Sequence, residues 1–94
     1  MTIENFKSSL VQTHPPKGLS ILLESLWLDA KGNWHAAHDL IDALEEMKAY
    51  HVHAYLHRKE GDLSNANYWY RRAGKPMPSY SLEKEWEELV DGLL

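Results

Sequence analysis

His53 and His57 stand four residues apart, so on a helix they project from one face, one turn from each other. Imidazole serves both as a ligand for divalent metals and as a proton carrier near neutral pH. Glu60 follows His57 by three residues, which puts a carboxylate one turn on, where it can orient the ring as an acid–base pair. The residues after His53 are Ala54, Tyr55 and Leu56, so the pair lacks the glutamate of the zincin arrangement. His38 and Glu24 complete the candidate set, placed there by an internal repeat described below. Three imidazoles and a carboxylate suit a divalent transition metal with one coordination position open. They equally suit a buried network in which each ring bonds a carboxylate, a tyrosine or a backbone carbonyl. The network, with no metal and no cofactor, is the expectation. A small metal-binding or hydrolytic protein is the alternative, behind a helical module that binds a protein or peptide.

Other residues offer less. His35 and His51 fall on outward positions and His14 in a proline-broken loop, so all three are expected in solvent. Asp62 stands where a helix needs an N-cap. None of the serines lies in a recognisable nucleophile elbow, and there is no glycine-rich phosphate loop and no calcium loop. These absences weigh against an enzyme. Tyr68-Trp69-Tyr70-Arg71-Arg72 mixes aromatics with cations, as single-strand nucleic-acid binders do. Adjacent helical positions point in different directions, however, so the rings form no single platform. Tyr70 is expected in the core, and the arginines complement a helix C-terminus.

The elements that would hold these groups are all helices. Thr2 caps a first helix with Ile3, Phe6 and Leu10 on one face, and His14-Pro15-Pro16-Lys17-Gly18 ends that segment. Leu19, Leu22, Leu23, Leu26 and Ala30 form the stripe of the next, beside Trp27. Lys31-Gly32-Asn33 and Glu60-Gly61-Asp62 each read as a stop followed at once by a start: glycine takes the left-handed conformation and the next side chain caps the following helix. Between Leu44 and Tyr50 no glycine or proline marks a boundary, and either a break near Glu46–Lys48 or one long helix through His57 fits. Gly74-Lys75-Pro76-Met77-Pro78 stops the helix that Asp62 opens. Ser81 then caps a last helix, with Leu82, Trp86, Leu89, Val90 and Leu93 inward and its acidic residues in solvent. No β alternation appears. The reading is a single all-α domain over 1–94 of about five helices, with a hairpin core at 19–78 and a capping helix at 79–94.

Composition narrows the classes. The chain has 94 residues, no cysteine and a formal charge of −4, so disulfides and thiolate metal sites are excluded and general attraction to nucleic acid is disfavoured. Charge is uneven: Arg58, Lys59, Arg71, Arg72 and Lys75 against Glu60 and Asp62 give +3 over 57–75, while 83–94 carries five acids against Lys84. No run approaches membrane-spanning length and no basic-plus-apolar leader is visible, so a soluble cytoplasmic protein is expected.

The two Gly turns lie 29 residues apart, each followed by an alanine, Ala37 or Ala66, and then by a large apolar residue, Ile41 or Tyr70. This resembles the tetratricopeptide repeat, with a period shorter than the usual ~34 residues. By that register Glu24 takes the place in the first hairpin that His53 takes in the second, and His38 lies on the helix packed between. The resemblance implies close helix crossings at Ala37 and Ala66. It also implies a groove face carrying Tyr55, Arg58 and Lys59, and a protein or peptide partner for them. Trp27 and Trp69 are the aromatics expected at an interface, including one between two copies of the chain. The string from Ala54 to Asp62, continued by Asn65 to Gly74, with Trp34, Ala37 and His38 upstream, also resembles a family of small uncharacterised bacterial helical proteins. That likeness implies no activity.

Overall fold

The computed structural model describes residues 1–94 and is all-helical, without a strand. Six α-helices run in chain order: α1 Ile3–Ser8, α2 Ile21–Ala30, α3 Trp34–Ile41, α4 Met47–Glu60, α5 Leu63–Ala73 and α6 Leu82–Leu93. A 3₁₀ turn, Ser9–Val11, extends α1. The sixth helix comes from a real break: residues 42–46 leave the helical path between α3 and α4. Every start but that of α4, where Glu46 makes no capping bond, carries the chemistry its orphan N–H groups require. Thr2, Ser20, Asn33, Asp62 and Ser81 accept from the backbone N–H three residues on, at 3.1–3.3 Å. Gly32 and Gly61 occupy φ +86° and +91°, a region closed to most side chains, and so let α2–α3 and α4–α5 fold back as antiparallel hairpins.

Ala37 and Ala66 are fully buried where these hairpins cross. Ser25 is also buried and donates to the Ala37 carbonyl at 2.8 Å, closing the first crossing. One core joins α1, α2, α3, α4 and α6 around Phe6, Leu26, Trp27, Ile41, Val52, Leu56 and Val90. A smaller cluster of Ala54, Ala66 and Tyr70 seals α4 against α5.

Three expectations change here. Trp27 is not an interface residue: it is 1% exposed, and its indole N–H donates to Ser9 Oγ at 3.0 Å. Nor is every acid of α6 solvated. Glu85 is 1% exposed and receives the Tyr70 hydroxyl at 2.6 and 2.8 Å and Arg58 at 2.9 Å, with His51 3.3 Å away. Burial alone would raise its pKa, but the hydrogen bonds from His51, Tyr70 and Arg58 outweigh it and hold the carboxyl below its ordinary value. His51 is accordingly half-buried instead of outward. No helix is long and apolar enough to cross a membrane.

Candidate metal centre

The register of α3 against α4 decides which imidazoles meet. α3 presents His38 and, one turn on at its C-cap, Asp42; α4 presents His53 and His57. The three rings form a triangle with centroids 4.7, 4.9 and 5.2 Å apart. His38 Nε2 and His53 Nε2 are 3.1 Å apart. For these two nitrogens to bond, one ring presents its N–H and the other its lone pair. Asp42 Oδ1 lies 3.8 Å from each of these nitrogens.

Those three separations have a geometric consequence. A triangle with sides of 3.1, 3.8 and 3.8 Å has a centre about 2.1 Å from every corner, within the ~2.0–2.2 Å that zinc keeps to imidazole nitrogen and carboxylate oxygen. His57 stands beside this point, with a donor nitrogen within 4.8 Å of those of His38 and His53. Its Nδ1 faces Glu60 Oε2 at 2.6 Å, while Asn65 Nδ2 is 3.4 Å from Nε2. With Nδ1 donating to the carboxylate, Nε2 carries the lone pair and faces the Asn65 amide. Carboxylate-backed imidazoles of this kind are usual behind metal ligands.

Aromatic packing fixes the rings. Trp34 stacks on His38 at 5.0 Å and 13°, and its indole N–H is anchored on the Leu56 carbonyl at 2.8 Å. Trp69 stacks on His53 at 3.9 Å and 14°. His53 is 3% exposed. Burial, reinforced by His38 and His57, depresses its pKa to about 4, so the ring is neutral and has a lone pair to offer at physiological pH. On the solvent side Asp42 is 60% exposed, so the centre opens there.

The structure thus brings together His38, His53, His57 and Glu60 from the candidate set. Glu24 is not with them. It lies half-buried on α2 and makes no hydrogen bond or ion pair with the histidines; the carboxylate beside His38 and His53 is that of Asp42. The repeat register that suggested Glu24 did not account for the shortened α3, which turns its own C-terminal acid toward α4. The i,i+4 spacing of His38 and Asp42 was the available signal.

The residues proposed for a partner groove are differently placed. Tyr55 is 2% exposed, its hydroxyl bonded to Asp29 Oδ2 at 3.1 Å. Arg58 is spent on Glu85 and the Tyr80 carbonyl. Lys59 lies over Asp29, 3.1 Å from Oδ1 and 3.2 Å from Oδ2. The physical reason is α6, which packs across α2 and α4 and fills the groove, leaving a cleft of about 490 Å³ beside Tyr55, Lys59 and Trp86. His14 and His35 are exposed, as expected. No protein family, curated protein or solved structure matches the chain.

Proposed function

We propose that this chain binds a divalent transition-metal ion, held by His38 Nε2, His53 Nε2 and the Asp42 carboxylate, with His57 at the remaining position. The observation that carries the reading is the common point about 2.1 Å from all three donor atoms. The neutral His53 ring and the stacked, immobilised His38 ring support it, because ligands that need little reordering favour binding. Two imidazoles and a carboxylate with room for a further group suit zinc, iron(II), cobalt or nickel. When bound, the ion would supply Lewis acidity to whatever occupies its open side. The protein's own part is to aim the rings through Trp34 and Trp69, to orient His57 through Glu60, and to leave the Asp42 side accessible.

Metal analysis of protein purified without a histidine tag, followed by titration with zinc and cobalt, tests this. One ion per chain is the expected result. Asp42→Asn changes an exposed ligand without touching the core and should weaken binding at least tenfold. Glu60→Gln alters only the group behind His57 and should cost between about ten- and a hundredfold. A chain that takes up no ion, or that binds equally well as Asp42→Asn and as His53→Gln, does not use this centre.

A further inference from the structure

A second feature lies at the other end of the α4–α5 hairpin, where α4 begins and α5 ends. The Arg72 guanidinium sits 4.4 Å from the Tyr50 ring centre, 5.0 Å from Trp69 and 5.8 Å from Tyr68, and donates to the Tyr50 hydroxyl at 3.2 Å. It makes no ion pair. Of the ten Lys and Arg side chains, Lys7, Arg58 and Lys59 pair with carboxylates; Lys17, Lys31 and Lys84 pair with none and are scattered, whereas the unpaired Lys48, Arg71, Arg72 and Lys75 gather at this end. Beside them two large side chains stand in solvent, Met47 at 59% and Tyr68 at 53% exposure.

This combination asks for a particular occupant. Aromatic stacking holds the guanidinium flat, and one hydrogen bond to Tyr50 leaves its other N–H groups free for the two-pronged recognition of a carboxylate. Arg, Tyr and Trp are the residue types that dominate protein interfaces. The positive ground is short, and Glu46 at the start of α4 and Glu88 on α6 border it. A nucleic-acid backbone needs a longer track of cations for counterion release, which an acidic protein does not offer. An acidic peptide needs only one or two carboxylates and an apolar neighbour.

We propose that this face docks an acidic segment of a partner protein, one carboxylate on Arg72 and an adjoining apolar side chain against Tyr68 and Met47. The reading does not require metal at the histidine centre, and the two sites share Trp69, which lies against both Arg72 and His53. Its test is titration of the isotope-labelled full chain with an acetylated Asp-Glu-Phe-Asp-Glu-Leu peptide, followed by NMR. Saturable shifts should appear at the Trp69 indole and at amides 47–50 and 68–75, and fade as salt rises. Arg72→Gln and Tyr68→Ala, with the remaining spectrum unchanged, should each weaken binding about tenfold or more. The proposal fails if a Lys-for-acid version of the peptide shifts the same signals equally, or if the peptide shifts none. It fails as well if an oligothymidine binds these residues while the peptide does not, or if sedimentation shows the free chain self-associating through them.

Discussion

At the scale of single residues, burial sets the ionisation of His53, and stability follows. In the unfolded chain His53 takes up a proton near pH 6.5; in the fold it resists until about pH 4. Above pH 6.5 neither state binds that proton and the full stability is present. Between these values the unfolded chain binds one proton more, so stability falls with pH, by about 3 kcal/mol at most. Urea unfolding of the metal-free protein across pH 7 to 4.5 should show this loss, and His53→Gln should flatten it. A wild-type midpoint constant over that range would contradict the burial argument. The imidazole cluster was legible because helical spacing alone puts His53 and His57 on one face. Asp42 was not, because its role depends on where α3 ends, and no glycine or proline marks that point.

At the scale of elements, the α4–α5 hairpin is held by small residues at its crossing. Ala66 is fully buried against Ala54 and Tyr70, with no space for a longer side chain. Ala66→Leu should overpack the crossing and cost roughly 1–3 kcal/mol, read as a lower urea midpoint with an unchanged slope. A neutral outcome would mean that the helices can separate freely at this point. Helix starts and the Gly32 and Gly61 stops were readable from sequence, since a cap or a positive φ restricts residue type locally. A break near Glu46–Lys48 was readable only as one of two possibilities, and its place at 42–46 was not, because Asp42, Ala43, Leu44, Glu45 and Glu46 are compatible with continued helix. His51 was read as solvated for a related reason: its partner, Glu85, comes from a helix 34 residues away.

At the scale of the whole molecule, α6 completes the fold by closing what would otherwise be an open groove. Trp86, Leu89 and Val90 bring apolar surface, Trp86 donates to the Leu26 carbonyl at 3.0 Å, and Glu85 ties α6 to α4 and α5 through Arg58 and Tyr70. Removing one partner of a buried ion pair leaves the other uncompensated. Glu85→Ala should therefore destabilise by about 3–5 kcal/mol, and hydrogen exchange should quicken first in α6. Unchanged protection there would show that the apolar contacts alone hold the helix. The same closure explains why Tyr55, Arg58 and Lys59, on a groove face by repeat register, are occupied internally. A pattern of apolar spacing shows that α6 buries a stripe without showing which surface it buries it on. Glu85, one residue before Trp86 and four before Leu89, sits at the margin of that stripe, where solvent and core are equally consistent with the sequence.

The central claim is that His38, His53 and Asp42 surround one point at metal-ligand distance. X-ray absorption at the zinc edge, on protein loaded with one equivalent, reads that distance directly. The expected result is a first shell of nitrogen and oxygen at ~2.0–2.1 Å, with the outer-shell scattering of at least two imidazoles, and loss of bound zinc in His53→Gln. Zinc surrounded only by oxygen, or an imidazole shell that persists unchanged in His53→Gln, would contradict it.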